Sequence, residues 1–275
     1  MGVAVAYGIG RGPVPTRSPD VMTTPTPPTL EQRMAACMRP PGAPVMRQRW
    51  QDLLFLHWTC PAAAVQATLP PGLFVDTFAG QAYLGVVPFF MAGVRPRFLP
   101  AVPGISAFPE LNLRTYVHDA AGIPGVWFYS LDAGRQLAVM LARRFFHLPY
   151  FKAAMSAVRG SDGTIRYCSV RSGLPEAVGG SAYEYAPGAV QPAAAPGSLE
   201  HFLVERYRLY AAGQGKLWRG AVSHPPYPLR EAVVSRWDDR LLPLAGFPAP
   251  GRPPDHALFS PGVAVEVFGL RPVRG

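Results

Sequence analysis

The sequence predicts an α+β protein built mainly from antiparallel β-strands, and three observations point to this class. Apolar and polar residues alternate in several segments of strand length. The 33 prolines and 28 glycines recur between these segments, where they favour short elements joined by turns. Charged residues make up only 16% of the chain, which is fewer than helix-rich bundles usually carry. With 275 residues and 49% hydrophobic content, the chain can bury a substantial core.

Residues 1–45 are predicted to form a disordered tail, because prolines recur there too often for a helix or a sheet ladder. Order is expected to begin at residue 46. Since neither an internal repeat nor a second core is evident, residues 46–275 are predicted to form a single domain.

The first half of this domain is predicted to contain a strand, a short helix and two hairpins. The strand covers 46–60, where large apolar side chains occupy both faces. The helix follows, with Pro61 at its first position. One hairpin turns at 79–81 and the other spans 110–133, with the glycine- and proline-containing stretch 119–125 as its turn.

The second half is predicted to contain two helices separated by strands. The spacing of apolar residues indicates an amphipathic helix over 135–147, which Pro149 ends. Two strands flank the turn at 161–163, and 174–198 is expected to be a loose region. Ser198 is the predicted cap of the second helix, and strands follow at 216–224 and 263–270.

One strand, "FPELNLRTYVHD" at 108–119, carries the strongest functional signal. Because side chains alternate along a strand, one face is mostly apolar and holds Leu111, Leu113, Thr115 and Val117. The other face, named the polar face below, holds Glu110, Asn112, Arg114, Tyr116 and His118. We expect the polar face to line an internal cavity, and the apolar face to pack beneath a helix on the outside.

Charge and composition argue against several classes of protein. The net charge is +9, but no Lys/Arg run or nucleic-acid-binding module is present, so nucleic acid is not an expected partner. The six arginines in residues 1–49 leave polyanion binding by the tail as an alternative. The three cysteines form no CxxC pair, which favours a reducing, cytoplasmic setting. No apolar run reaches the length of a membrane span, so no membrane partner is expected.

Five motifs carry a resemblance to a known family. In order along the chain they are "WQDLLFLHW", "FPELNLRTYV", "PGVWFYSLDA", "ARRFFHLPY" and "FLVERYRLY". From about 48 to 270 the chain resembles the YqjF-like family of uncharacterised bacterial proteins, which is similar in turn to the acetoacetate decarboxylase-like superfamily. The resemblance implies a closed or cone-shaped antiparallel barrel with a few flanking helices and a buried cavity.

The resemblance also suggests site residues. The decarboxylases have a glutamate on a central strand and a later Gly-Arg-Glu, spacer, Pro-Lys motif whose lysine forms a Schiff base. Glu110 matches the strand glutamate, Arg143 matches the arginine, and Tyr150 stands in the position of the lysine. A tyrosine cannot form a Schiff base, and Lys152 is displaced by about 6–7 Å along a strand. The sequence therefore favours chemistry without a covalent amine intermediate.

These considerations give a predicted site. Glu110 is the candidate for proton transfer, Arg114 for holding an anion and Tyr150 for donating a hydrogen bond to a substrate oxygen. The predicted substrate-binding residues are His57, Asn112, Tyr116 and Arg143. His57 is alternatively a buried structural histidine, and the helix dipole alone would account for Arg143. No ligand spacing indicates a metal, and no cofactor is expected.

The predicted function is binding of a small anionic organic molecule, such as a carboxylate or keto acid, in an internal polar cavity. The predicted chemistry is of the lyase or isomerase type. A binding or sensory scaffold that lacks catalysis is the alternative, and the missing lysine favours it. The sequence leaves the oligomeric state open, a homo-oligomer included.

Overall fold

The computed structural model describes residues 25–98, 100, 106–134 and 146–273. Twelve strands belong to one sheet: β1 Met46–Cys60, β2 Leu73–Val75, β3 Ala82–Pro96, β4 Phe108–Asp119, β5 Pro124–Ala133, β6 Tyr150–Arg159, β7 Ile165–Arg171, β8 Gly180–Val190, β9 Arg208–Gly213, β10 Lys216–Ser223, β11 Arg230–Arg236 and β12 His256–Pro272. The helices in the described residues are short: α1 Leu30–Cys37, α2 Ala62–Gln66, α3 Glu176–Gly179, α4 Leu199–Val204 and α5 Leu241–Leu244.

Hydrogen bonding closes this sheet on itself in two rings. The strand order is β10-β9-β5-β6-β7-β8-β11-β12-β1-β3-β4-β2, and β4 also pairs with β5 while β10 also pairs with β12. β5 pairs with β9 at residues 126–127 and with β6 at residues 131–133. β12 pairs with β11 at 258–259 and with β10 over 266–272. The strands β12, β1, β3, β4 and β5 therefore form a wall that both rings share.

The shared wall is buried on both faces. Leu111 and Leu113 of β4 are fully buried and belong to the same cluster as Tyr167 of β7 and Tyr183 of β8. The apolar face thus belongs to a cluster with other strands of the ring, and the same cluster includes residues of two short helices, Val65 of α2 and Leu241 and Leu242 of α5. Strands favour this packing because apolar side chains on their inner faces can interdigitate.

Most of the predicted elements are confirmed. The strand at 46–60, the 110–133 hairpin, the strands flanking 161–163 and the Ser198 cap all occur in the structure. The fold is the predicted mainly antiparallel α+β type. The 79–81 turn joins β2 and β3, but β2 pairs with β4, so these two strands do not form the predicted hairpin. The region 174–198 is not loose, because α3 and β8 lie within it.

Part of the N-terminal tail is helical. Residues 30–37, inside the segment predicted to be disordered, form α1, which a capping box between Thr29 and Gln32 begins. Arg33 of α1 donates two hydrogen bonds of 2.6 and 2.7 Å to the buried carboxylate of Asp76. The prediction of disorder is therefore wrong for these residues, because it weighed proline content and overlooked this cap. The predicted helix at 135–147 falls outside the described residues except for its last two.

Candidate functional site

The polar face of β4 is buried, and its lining of an internal cavity stays a prediction. Glu110 is 3% exposed, and Asn112, Tyr116 and His118 are also buried, whereas Arg114 is partly exposed. Neighbouring strands set this orientation, because Val87 of β3 and Leu131 of β5 pair with Asn112 on either side. The face therefore points into the protein on the side of the wall opposite Leu111 and Leu113.

Glu110 and Tyr150 are in direct contact at this face. Leu131 of β5 pairs with both Asn112 of β4 and Tyr150 of β6, so Tyr150 lies two strands from β4. From there its hydroxyl donates a hydrogen bond of 2.9 Å to Oε2 of Glu110. The structure thus brings together two of the three residues predicted to be catalytic.

Burial changes the acidity of both groups. Desolvation raises the pKa of Glu110 to about 8; the Tyr150 hydrogen bond opposes this rise, and nearby Asp132 adds to it. Desolvation also raises the pKa of Tyr150 well above its usual value, and Glu110 raises it further. Asp132 itself is paired with Arg171 at 2.7 Å. At neutral pH, Glu110 is mainly protonated and Tyr150 keeps its proton.

Arg114 lies apart from this pair. It is the fourth residue after Glu110 along β4, so the Cα atoms of the two residues lie about 13 Å apart. Its Nη2 donates to the backbone oxygen of Leu203 at 3.3 Å, and its guanidinium lies over the rings of Phe55 and Tyr116. Arg114 is therefore placed beside the polar face, at the far end from Glu110.

His57 and Tyr116 are connected to each other and not to Glu110. The hydroxyl of Tyr116 donates to the backbone oxygen of Leu203 at 2.9 Å, so the 2.8 Å contact with Nε2 of His57 requires that this nitrogen carry the proton. Nδ1 of His57 then accepts from Nδ1 of His256 at 3.1 Å. Desolvation lowers the pKa of His57 well below its usual value, and His256 and Arg114 lower it further. His57 is a buried, neutral histidine, which was the structural alternative considered for it.

Gly85 makes room for this connection. It lies between His57 of β1 and Arg114 of β4 in the sheet register. A Cβ at this position would lie 3.2 Å from Cδ2 of His57 and 3.3 Å from the hydroxyl of Tyr116. The missing side chain therefore allows the histidine and the tyrosine to meet above β3.

Five polar atoms along this side of the wall are buried without a hydrogen-bond partner in the part of the chain that the structure describes. They are Oδ1 of Asn112, Nε of Arg114, Nε1 of Trp50, Nε2 of His224 and Nη2 of Arg206, whose guanidinium lies over the ring of Tyr116. Trp50 packs against Phe89, whose backbone pairs with Glu110, and the ring of His224 lies 5.7 Å from that of Trp50. Buried polar atoms are normally satisfied, so each of these atoms suggests an interaction with a ligand or water.

Trp50 and His224 were not predicted from the sequence. His224 precedes two prolines, a pattern that is typical of a rigid loop. Its Nδ1 contacts the backbone oxygen of Pro225 at 2.8 Å, and its ring stacks on Tyr207. Burial lowers the pKa of His224 to about 4. No local pattern marks these two residues, because they reach the site through the long-range pairing of β1 and the packing of the segment after β10.

The remaining predicted features are placed as follows. Arg143 lies outside the described residues. Lys152 and Lys216, the two lysines of the chain, are both exposed. Within the described ranges, no group of three or more side chains is arranged to hold a metal ion. None of the described helices is long and apolar enough to cross a membrane.

The fold is similar to that of acetoacetate decarboxylase-like proteins. The acetoacetate decarboxylase of Legionella pneumophila superposes with a TM-score of 0.58 at 12% identity, over 86% of this chain and 92% of that one. The enduracididine biosynthesis enzyme MppR, in complex with pyruvate, superposes with a TM-score of 0.54 at 14% identity, over 84% and 91%. At these identities the likeness shows the fold alone.

The family is established by sequence. Residues 47–264 match the model of a family described as uncharacterized conserved proteins, the domain of unknown function 2071. The chain is also 45% identical to the uncharacterized protein YqjF of Bacillus subtilis strain 168 over 193 residues, which are 70% of this chain and 78% of YqjF. The chain belongs to this family, and the predicted membership is confirmed.

Proposed function

We propose that this protein binds a small organic carboxylate or keto acid against the polar face, and that Glu110 transfers a proton to or from it. The observation that carries the proposal is the buried Glu110–Tyr150 pair on a face where Oδ1 of Asn112 and Nε of Arg114 are unsatisfied. MppR, which shares the fold, is described in complex with pyruvate, and this supports an oxo acid as one ligand class.

Glu110 has the properties of a general acid–base group. A pKa of about 8 lies close to neutrality, where a group can both hold and release a proton. The protonated form can donate to a carbanion or an enolate, and the ionised form can remove a proton next to a carbonyl. Tyr150 stays protonated, so its hydroxyl stabilises the carboxylate after Glu110 has given up its proton.

Arg114 supplies the positive charge for the ligand carboxylate. Its Nε is buried and unpaired within the described ranges, and Nη2 makes one 3.3 Å bond to a backbone oxygen. A carboxylate at Nε would satisfy this donor with a charge-assisted hydrogen bond. Because both lysines are exposed, the proposed chemistry involves no Schiff base, and the reaction is of the lyase or isomerase type.

Deuterium exchange tests the proposal directly. The full-length protein is incubated in D₂O with small keto and carboxylic acids, and NMR follows the loss of protons next to the carbonyl, while calorimetry measures binding. Wild-type protein is expected to bind at least one of these acids and to catalyse exchange. Glu110→Gln is expected to keep binding within about threefold and to lose exchange by about a hundredfold or more. Arg114→Met is expected to lose binding, because the carboxylate then has no cation.

The matched control is Glu231→Gln, which removes an exposed carboxylate on β11 and is expected to leave binding and exchange unchanged. Exchange that persists in Glu110→Gln would contradict the role of Glu110. Binding without exchange in the wild-type protein would favour the second candidate, a ligand-binding scaffold. The exposure of both lysines is the observation that keeps this candidate open.

A further inference from the structure

The five unsatisfied atoms differ in hydrogen-bonding type, and this restricts the ligand. Nε of Arg114, Nε1 of Trp50 and Nη2 of Arg206 are donors. Oδ1 of Asn112 is an acceptor. Nε2 of His224 is also an acceptor, because the histidine is neutral and its contact with the backbone oxygen of Pro225 requires the proton on Nδ1. The site therefore presents three donors and two acceptors.

A keto acid in its ionised form can satisfy only the donors of this set. Its carboxylate and carbonyl oxygens accept hydrogen bonds, so they can satisfy the arginines and the tryptophan. They have no hydrogen to donate to Asn112 or His224, and both acceptors would stay buried and unpaired beside a ligand that excludes water. Such unpaired groups are the main reason why polar sites reject analogues that lack a matching hydroxyl.

We propose that the preferred ligand is a hydroxy carboxylic acid, whose carboxylate binds Arg114 and whose hydroxyl donates to Oδ1 of Asn112. This inference rests on the proposed function, since it uses the same face and the same arginine. It names the ligand class more narrowly, and it assigns a role to Trp50 and His224.

The spacing along β4 fits a short ligand of this kind. Asn112 and Arg114 are alternate residues of one strand, so their Cα atoms lie about 7 Å apart. A carboxylate and the hydroxyl on the adjacent carbon can reach both side chains through hydrogen bonds of about 3 Å each. The rest of the carbon chain then extends toward Glu110, the next residue on the same face.

Trp50 and His224 also combine a hydrogen-bond donor with an acceptor, as Arg114 and Asn112 do. It offers one donor and one acceptor on rings whose centres are 5.7 Å apart. A hydroxyl group both accepts and donates, so it can satisfy the two atoms together, whereas a carboxylate satisfies only the tryptophan. This pair therefore fits a second hydroxyl on a longer hydroxy acid.

Matched acids test the inference on the full-length protein. Lactate, pyruvate and propionate share one carbon skeleton and carry a hydroxyl, a keto group or neither, and phenyllactate, phenylpyruvate and 3-phenylpropionate repeat the comparison at a larger size. In at least one set, calorimetry is expected to show the hydroxy acid binding about tenfold or more tightly than both partners. In Asn112→Leu, the three acids of that set are expected to bind within about twofold of one another.

A second variant covers the case in which Asn112→Leu fails to fold. His224→Phe keeps an aromatic ring for stacking on Tyr207 and removes the acceptor, so it is expected to weaken the binding of dihydroxy acids such as glycerate relative to the binding of lactate. Keto acids that bind as tightly as hydroxy acids to the wild-type protein would overturn the inference while leaving the proposed function intact. If no acid of either set binds, both fail. A hydroxyl preference that survives in Asn112→Leu would also overturn the assignment to Asn112.

Discussion

Replacing Glu110 with glutamine tests the buried carboxyl group through stability. A carboxyl group whose pKa is higher in the folded state binds its proton more tightly there, so folding becomes less favourable as the pH rises. An increase in pKa from 4.5 to about 8 corresponds to a cost of about 5 kcal/mol once the pH exceeds 8. At pH 7 the same calculation gives about 3 kcal/mol. Glutamine has a similar shape and no charge, so Glu110→Gln removes this cost.

The difference in unfolding free energy between Glu110→Gln and the wild-type protein is therefore expected to change with pH. Near pH 5 the two proteins should differ by about 1 kcal/mol or less, because the carboxyl group is protonated when folded and only partly ionised when unfolded. From pH 5 to 8, the variant should gain relative stability by up to about 1.4 kcal/mol per pH unit. Urea unfolding at intervals between pH 5 and 9 measures both proteins.

Glu231→Gln is again the control, because Glu231 is exposed on β11 and accepts only a 3.2 Å hydrogen bond from Gln191. Its effect should stay within about 0.5 kcal/mol at every pH. Other buried acids, such as Glu205, titrate in both proteins and cancel in the comparison. A difference between Glu110→Gln and the wild type that is constant from pH 5 to 9 would refute the argument, because it would mean that Glu110 ionises as it does in water.

Three further predictions concern the surroundings of the site. Gly85→Ala is expected to lower the free energy of urea unfolding by about 1–3 kcal/mol, because the new Cβ displaces His57. In the control Gly134→Ala the nearest contact of the new Cβ would be an ordinary 3.8 Å, so the loss should be less than about 1 kcal/mol. His57→Gln is expected to reduce the fall of Tm between pH 6.5 and 5, because in the wild-type protein the unfolded histidine takes up a proton over this range and the buried His57 does not. An unchanged dependence of Tm on pH would show that His57 does not cause the fall. Arg33→Met is expected to speed proteolysis within α1. It should lower the unfolding free energy by only about 1 kcal/mol, because Asp76 keeps its ion pair with Arg206. Cleavage at the wild-type rate would show that the ion pair between Arg33 and Asp76 does not hold the helix.

The sequence predicted which residues of β4 share a face, because this depends only on the local alternation of side chains along a strand. A strand whose alternate residues are Glu110, Asn112, Arg114 and Tyr116 places them on one face whatever its neighbours are. The sequence was less informative about which of the two faces is buried. Both faces of β4 are buried, since the wall lies between two rings, and the pattern of one strand contains no information on strands that pack against it from both sides.

The pairing between distant strands could not be predicted in the same way. The contact of Tyr150 with Glu110 depends on the parallel pairing of β5 with β6, and the contact of His57 with His256 depends on the register of β1 and β12, which are about 200 residues apart in the chain. Register is set by the packing of whole strands and not by the residues that meet across them.

The same reasoning explains why the candidate site became clearer only in three dimensions. Each polar residue of the polar face has an ordinary structural explanation when it is considered alone, as His57 shows. The functional argument comes from atoms that stay unsatisfied after folding, and satisfaction can be judged only when all neighbours are known. Leaving a buried polar atom unpaired costs about 1–3 kcal/mol, so five such atoms on one side of the wall lower the stability of the fold substantially. A fold under no demand other than stability would gain from apolar residues at Asn112 and His224, and the mixture of donors and acceptors there is the pattern that a hydroxylated acid would satisfy.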